Sequence, residues 1–184
     1  MRDGAKKALQ LEYKALEFAV RAHGSVLQVR KYTGEPYIYH PMAVADIIRR
    51  NVIDHTPAML AAAYLHDVLE DTPVTFNELR QEFSPTVVEL VNWVTDVSRP
   101  QDGNRAMRKM MDREHLADAP GKAQTIKLAD LLDNSTSIVM YDKDFARVYL
   151  KEKQALLEVL TKGDPVLQSM CKSVVENGWK RISQ

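Results

Sequence analysis

The sequence predicts an all-α protein, and three observations lead to this fold class. No segment alternates between apolar and polar residues with the period of a strand. Several segments repeat their apolar residues at the spacing of a helix. The 7 glycines and 8 prolines lie mostly at the boundaries of these segments. The length of 184 residues suits one domain, which we expect to span 1–184.

Helical spacing in the first half of the chain predicts helices at 5–23, at about 41–51 and at 57–70. One face of the first of these helices carries Leu9, Tyr13, Leu16 and Val20. Gly24 offers it a stop signal, and a proline can open each of the other two. The segment 24–40 is predicted to be a loop, because it contains the turn signals Thr33-Gly34-Glu35-Pro36.

The second half predicts further helices with recognisable starts. Thr75 and Glu78 form a capping box, and Ser84-Pro85 caps a helix that runs to about Val97. Periodic segments follow at 104–117, 122–141 and 144–162. Asp164-Pro165 begins a C-terminal helix, which we place at 164–178.

The charge balance gives no indication of a polyanionic partner. Lys plus Arg and Asp plus Glu number 25 each, so we expect no nucleic-acid or membrane partner. The single cysteine, Cys171, cannot form an internal disulfide. The N-terminus has no apolar core of the signal-peptide type, and the longest apolar run, Ala58 to Leu65, is far shorter than a membrane span. We therefore expect a cytoplasmic protein.

The stretch "AAAYLHDVLEDTP" places four ionisable side chains in an apolar segment: His66, Asp67, Glu70 and Asp71. Such groups are rarely buried without a partner. Imidazole and carboxylate ligands suit divalent first-row metals, and the oxygen-rich mixture favours manganese, iron or zinc. On a continuous helix, Glu70 would lie one turn beyond His66, and Asp71 would lie one turn beyond Asp67.

A second acidic position occurs in "TIKLADLLDNSTSIV". Lys127, Asp130, Asn134 and Ser137 follow one another at spacings of 3, 4 and 3, so they share one face of an otherwise apolar helix. This stripe is either part of a site or a solvated stripe on a surface helix.

Three motifs occur in order along the chain: "RKYTGEPYIYHP", "LHDVLEDT" and "IKLADLLDN". Together they resemble the hydrolase domain of RelA/SpoT-type enzymes, over about residues 10–160. The length is similar to that of the small alarmone hydrolases, which consist of this domain alone. The resemblance implies the helical bundle of the HD-domain metal-dependent phosphohydrolases.

The resemblance also implies a reaction and its residues. The family removes the 3′-pyrophosphate of the guanosine alarmones ppGpp and pppGpp, releasing pyrophosphate. One Mn²⁺ per chain would be bound by His40, His66, Asp67 and Asp130. The acidic pair Glu70 and Asp71 would be catalytic. The positions that match the nucleotide site are Arg30, Lys31, Asn134 and Ser137.

The chemistry of these residue types agrees with the implied reaction. Coordination to a metal lowers the pKa of water, and Glu70 or Asp71 could accept its proton or orient it. Arg30 and Lys31 can supply positive charge to a phosphorylated substrate or stack on its base. His23 matches a family histidine, for which we expect a structural hydrogen bond.

The chain also departs from the family pattern. The segment "HGSVLQVRK" is about two residues longer than the usual turn before the Arg-Lys pair, and Leu131 and Asp133 stand where many members have other residue types. We expect these changes to alter nucleotide preference and to leave the metal site intact.

Other functions stay open on this basis. Adenosine alarmones, or a ribose phosphate such as the 2′-phosphate of NADPH, are alternative substrates. A non-catalytic nucleotide-binding sensor is the alternative of another class, although every metal and acid–base position is filled. No synthetase domain fits into 184 residues, so we expect degradation only. The expected partner is a small nucleotide, and a homodimer is compatible with the sequence.

Overall fold

The computed structural model describes residues 2–183, except for the side chains of Arg2 and Thr136. Met1 and Gln184, the two ends of the predicted domain, lie outside the described residues. Within them every regular element is helical, which confirms the all-α prediction, and the β-type pairing is one isolated bridge between Val29 and Pro36. The chain divides into two compact units, Met1–Thr95 and Asp96–Gln184. That the whole chain forms a single domain stays a prediction.

Ten α-helices and one short 3₁₀ helix follow one another in the described residues. The first unit contains α1 (Arg2–Ser25), α2 (Tyr39–Asn51), α3 (Pro57–Leu65), α4 (Val68–Asp71), α5 (Phe76–Glu82) and α6 (Pro85–Val94). The second contains the 3₁₀ helix (Pro100–Asp102), α7 (Arg105–Asp118), α8 (Gly121–Tyr141), α9 (Lys143–Val159) and α10 (Pro165–Ile182). No described helix has the length and apolar character needed to cross a membrane.

Helix α3 forms the centre of the first unit. Its residues from Met59 to Leu65 are all buried, and it packs against α1, α2 and α6. A helix that is apolar all round belongs in a core, because every face must be covered. Its three consecutive alanines, Ala61 to Ala63, let the surrounding helices approach closely. The C-terminal end of α3 consequently holds His66 in a buried position.

The face of α1 that packs differs from the apolar stripe seen in the sequence. Ala15, Ala19 and Ala22 are buried, whereas Leu9 and Tyr13 are 69% and 60% exposed. The packing partner explains the choice, because small side chains on α1 fit against the alanines of α3. Leu9, Tyr13 and Val20 of the stripe are left at the surface, and Leu16 is half-buried.

Helix α1 ends with a Schellman motif. The N–H of Gln28 donates to the carbonyl of His23 at 3.1 Å, and the N–H of Leu27 donates to the carbonyl of Gly24 at 3.1 Å. Leu27 takes the left-handed conformation of this motif, with φ of +50°. The predicted stop at Gly24 is therefore wrong in detail: Gly24 has no positive φ, and the helix continues to Ser25.

Other predicted boundaries are confirmed or corrected in detail. The capping box of Thr75 and Glu78 is present, and α10 begins after Asp164 as predicted but runs on to Ile182. Ser84 makes no capping hydrogen bond through its side chain, and α6 ends at Val94, three residues before the predicted end at Val97.

The second unit is built around α8, α9 and α10, which contact one another, and α7 packs against α9. Leu128 and Leu131 of α8 and Leu150 of α9 are fully or almost fully buried in this core. Cys171 of α10 is also buried, and its thiol donates to the carbonyl of Leu128 at 3.2 Å. The burial of Leu128 and Leu131 fixes which face of α8 remains for its polar residues.

Replacing Leu27 with glycine should stabilise the protein. An L-residue in the left-handed region costs about 1–2 kcal/mol, and the added chain entropy of glycine offsets part of the gain. Leu27 is 85% exposed, so little apolar burial is lost. We expect Leu27→Gly to raise the free energy of unfolding by about 0.5–1 kcal/mol in urea denaturation. Val26→Gly is the control, and it should lower stability; equal effects of both variants would contradict the strain at Leu27.

Candidate metal centre and active site

The predicted helix 57–70 is interrupted between Leu65 and Val68, so that His66 and Asp67 lie in a turn between α3 and α4. The ring of His66 explains the break. Its Nδ1 lies 2.8 Å from the carbonyl oxygen of Ala63, the group that Asp67 N–H would bond in a continuous helix. Asp67 then takes ψ of −1° and starts α4. The one-turn spacing predicted from a continuous helix does not apply across this turn.

Three ligand atoms meet at this turn. The Nε2 atoms of His40 and His66 are 3.2 Å apart, and Asp67 Oδ2 lies 3.0 Å from His66 Nε2 and 3.5 Å from His40 Nε2. Each histidine is 1% exposed, and the side chain of Asp67 is 13% exposed. Three of the four predicted ligands therefore form one buried cluster within the first unit.

The cluster fits a divalent metal ion. His66 Nδ1 faces a carbonyl oxygen and must carry the proton, so its Nε2 is a bare acceptor directed at the other two ligand atoms. Ligand atoms bonded to one ion at about 2.1 Å and separated by about 90–110° lie about 3.0–3.4 Å apart. The separations of 3.0 and 3.2 Å lie in this range, and the 3.5 Å between His40 Nε2 and Asp67 Oδ2 is slightly longer. A cation would also offset the cost of burying the Asp67 carboxylate.

Tyr37 supports the cluster from the loop. Its hydroxyl donates to Asp67 Oδ2 at 2.6 Å, and its ring lies 5.6 Å from the ring of His40 and 4.9 Å from that of His23. A donor to a ligating carboxylate fixes the orientation of that carboxylate. Tyr37 thus holds Asp67 in place while its ring packs between two buried imidazoles.

The acidic pair beyond the cluster is not symmetric. Glu70 and Asp71 are both exposed residues of α4, and the Asp71 carboxylate accepts a hydrogen bond from Gln28 Nε2 at 2.9 Å. Gln28 Oε1 in turn lies 2.6 Å from Nδ1 of the buried His23. This bond confirms the structural hydrogen bond expected for His23. Asp71 is thereby connected to the core, which its sequence position beside Glu70 did not indicate.

The long loop before His40 forms a small hairpin. Tyr37 N–H donates to the Gln28 carbonyl at 3.0 Å, and Arg30 N–H donates to the Glu35 carbonyl at 2.8 Å. Gly34 closes the turn with φ of +71°, as the predicted turn signals require. The hairpin fixes the backbone of Arg30, and the ammonium of the exposed Lys31 lies 4.8 Å from the centre of the Tyr32 ring.

The remaining predicted residues lie on α8 in the second unit. Asp130 is 6% exposed; its Oδ1 accepts from Asn134 Nδ2 at 2.6 Å, and its Oδ2 is 3.0 Å from Lys127 Nζ. The solvated-stripe alternative is therefore wrong for Asp130. Ser137 donates to the carbonyl of Asn134 at 3.2 Å. Asp130 as the fourth ligand, and Asn134 and Ser137 as nucleotide contacts, stay predictions.

Charged groups near Lys127 in the second unit compensate one another. Burial would raise the pKa of Asp96, but the ammonium groups of Lys127 and Lys109 outweigh it and hold this pKa below its usual value. Burial and the positive charge of Lys127 lower the pKa of Lys153 to about 8. At Asp96 the nearby ammonium groups thus outweigh burial, whereas at Lys153 burial outweighs the acidic neighbours.

Sequence reasoning missed two residues of the site, Gln28 and Tyr37. Tyr37 lies inside the motif "RKYTGEPYIYHP" and could have been considered with it. Gln28 lies in the lengthened segment, where no periodicity indicates a direction for the side chain. It becomes visible only through its hydrogen bonds to His23 and Asp71.

Comparison with known proteins agrees with this fold and site. The HD domain family matches residues 15–154, which is most of the chain. The chain therefore belongs to the HD-domain family.

The relatives within this family are alarmone enzymes. The chain is 39% identical to a Xenopus tropicalis protein named guanosine-3′,5′-bis(diphosphate) 3′-pyrophosphohydrolase MESH1. The match covers 69% of this chain and 68% of the Xenopus protein. It is 36% identical to an Aquifex aeolicus protein with the same enzyme name, of which it covers 19%. The chain spans about a fifth of the length of the relatives from Aquifex aeolicus and Haemophilus influenzae.

Two solved structures share the fold. A metazoan ortholog of SpoT, described as hydrolysing ppGpp with a role in starvation responses, superposes with a TM-score of 0.81 at 26% identity, covering 91% of this chain and 94% of that one. A Listeria monocytogenes EGD-e protein superposes with a TM-score of 0.64 at 23% identity, covering 77% of this chain and 99% of that one. The second likeness concerns the fold alone.

Tyr37→Phe should weaken metal binding without disturbing the fold. The variant keeps the ring between His23 and His40 but removes the donor to Asp67, and losing such a donor typically costs about 10–100-fold in metal affinity. Calorimetric titration with divalent metal salts measures the change. Tyr39→Phe, at an exposed neighbouring position, is the control and should bind as the unmodified protein does. An unchanged affinity in Tyr37→Phe would show that the hydroxyl does not orient Asp67.

Proposed function

We propose that this chain is a manganese-dependent 3′-pyrophosphohydrolase of the guanosine alarmones ppGpp and pppGpp, acting in the cytoplasm where guanosine nucleotides are used. The observation that carries the proposal is the buried cluster of His40, His66 and Asp67, with the exposed carboxylate of Asp71 held beyond it. The names and activities of the relatives support this substrate class.

The proposed metal ligands are His40, His66, Asp67 and Asp130, for one Mn²⁺ per chain. Two imidazoles and two carboxylates form a set that manganese accepts, and the oxygen-rich half of the set favours it over softer metals. When bound, the divalent cation supplies Lewis acidity, which lowers the pKa of coordinated water and neutralises charge on phosphoryl oxygens. Asn134 would hold Asp130 in its ligating orientation through the 2.6 Å hydrogen bond to Oδ1.

Arg30 and Lys31 are the proposed cationic contacts of the substrate. A guanosine alarmone carries two phosphate chains, so its binding needs positive charge from the protein. Hydrogen bonds of the hairpin fix the backbone of Arg30 at both its N–H and its carbonyl. The side chain that carries the guanidinium therefore starts from a fixed Cα position. Asn134 and Ser137 are proposed as further contacts of the nucleotide.

Glu70 and Asp71 are the proposed proton acceptors. In hydrolysis, a water oxygen bonds to the phosphorus attached to the ribose 3′ oxygen, and the bond between that phosphorus and the 3′ oxygen breaks. One proton of the water passes to a carboxylate, and the departing 3′ oxygen takes up a proton, which gives pyrophosphate and the nucleoside 5′-diphosphate from ppGpp or the 5′-triphosphate from pppGpp. Asp71 is the better-held acceptor, because Gln28 donates to one of its oxygens.

A substrate panel tests the proposal. Purified protein with Mn²⁺ should convert ppGpp to GDP and pyrophosphate, and pppGpp to GTP and pyrophosphate, and an excess of chelator should abolish both reactions. His66→Ala should lose metal and activity together. Glu70→Gln should retain metal and lose kcat by about 10²–10⁴-fold, because the loss falls on the transition state.

Each other result of the panel has a definite meaning. Turnover of adenosine alarmones alone, or release of inorganic phosphate from NADPH, would replace the guanosine substrate. Tight nucleotide binding with no product in the presence of Mn²⁺ would favour the sensor function. Full activity in excess chelator would exclude the metal mechanism.

Arg30→Ala should raise KM by about 10-fold or more and leave metal content unchanged, because the guanidinium is proposed to bind substrate and is no metal ligand. Steady-state kinetics with ppGpp and elemental analysis measure the two effects. The control is Arg50→Ala, since Arg50 is exposed on α2 and pairs with Asp46 at 2.8 Å. An unaltered KM and kcat in Arg30→Ala would exclude Arg30 from the substrate site.

A further inference from the structure

Gln28 uses both ends of its side-chain amide. Oε1 lies 2.6 Å from Nδ1 of His23, and Nε2 donates to Oδ2 of Asp71 at 2.9 Å. Among the described residues, Gln28 is the one side-chain donor to the Asp71 carboxylate. A single residue therefore connects a buried imidazole of α1 with the exposed carboxylate of α4.

The direction of these hydrogen bonds follows from the groups involved. An ionised carboxylate only accepts, so the NH₂ end of the amide must face Asp71. The carbonyl end then faces His23, whose Nδ1 must carry the proton. His23 is 2% exposed, and its Nε2 has no hydrogen-bond partner among the described residues. The imidazole thus anchors the amide in one orientation and cannot turn away to water.

The backbone of Gln28 is held as firmly as its side chain. Its N–H completes the Schellman motif with the His23 carbonyl at 3.1 Å, and its carbonyl accepts from the Tyr37 N–H at 3.0 Å. Leu27 precedes it in a left-handed conformation. Residues held in such conformations cluster at functional sites, and here the strained residue sets the direction of Gln28.

We propose that Gln28 is a positioning residue that holds the Asp71 carboxylate for proton transfer, with His23 as its buried anchor. The inference rests on the proposed function, since it assigns Gln28 to the acid–base step of that reaction. Gln28 acts through Asp71: its amide fixes one oxygen of the carboxylate, so that the other is presented to the water. Misplacement of a reacting group by about 1 Å costs about 100-fold in rate.

A double-mutant cycle separates this role from a general structural one. Gln28→Leu should lower kcat by about 10–100-fold, with KM and metal content unchanged. In the Asp71→Asn background the same substitution should cost less than 2-fold, because the group that Gln28 positions is already disabled. Gln10→Ala, at an exposed position of α1, is the control for the substitution of a glutamine and should keep full activity. Losses that multiply in the double mutant would overturn the proposal.

Gln28→Glu distinguishes the two ends of the amide. A glutamate keeps an acceptor for His23 but offers Asp71 a second negative charge in place of the donor. If Gln28 only stabilises the loop through His23, this variant keeps its activity. If Gln28 positions Asp71, the variant loses kcat at least as strongly as Gln28→Leu, although its melting temperature stays near that of the unmodified protein. This variant also serves if Gln28→Leu does not fold.

A second readout does not depend on turnover. The side-chain NH₂ of Gln28 should give a distinct pair of signals in a ¹H–¹⁵N spectrum, and Asp71→Ala should shift them while the signals of Gln10 stay in place. If the chemical shifts of the Gln28 side-chain NH₂ are unchanged in Asp71→Ala, that result alone would overturn the positioning role. Absence of turnover on every substrate of the panel would instead overturn the proposed function, and the spectrum would still decide whether Gln28 holds Asp71.

Discussion

The candidate site depends on how the imidazole of His66 is held. Its Nδ1–H donates to the carbonyl oxygen of Ala63, and this one hydrogen bond has two consequences. It fixes the tautomer, so that Nε2 is an acceptor directed at His40, and it ends α3 by occupying a carbonyl that the helix would use. The turn that follows brings Asp67 back to the same point. A helix that continued through these residues would direct His66 and Asp67 about 100° apart.

The rest of the first unit buries this arrangement and restricts its side chains. The apolar α3 is covered by α1, α2 and α6, and His40 reaches the cluster from the first turn of α2. The rings of His23, Tyr37, His40 and His66 follow one another at centroid distances of 4.9–5.6 Å. Such contiguous packing restricts each imidazole to one orientation, which a metal site needs before the metal arrives.

The sequence predicted the long helices and the ligand types well, and it failed where side chains compete with the backbone. Periodicity placed α7 and α8 within one residue at each end, because their apolar residues recur over many turns. It could not find the break at His66, because the cause is one side-chain hydrogen bond and not a change in pattern. It also favoured the wrong face of α1, since Ala15 and Ala19 carry less apolar surface than Leu9 and Tyr13. The packing face of α1 depends on its partner α3, which is rich in alanine. The sequence of α1 alone does not contain this information.

Hydrogen bonds hold the lengthened segment between His23 and Arg30 and place the side chain of Gln28 beside Asp71. The Schellman motif takes up the chain after Ser25, at the cost of a left-handed Leu27. That conformation costs about 1–2 kcal/mol, whereas each net hydrogen bond contributes about 0.5–1.5 kcal/mol. Gln28 makes two hydrogen bonds through its backbone and two through its side chain, which together outweigh the strain. The contacts of Gln28 therefore offset the strain at Leu27, and they link the end of α1 to the carboxylate of Asp71.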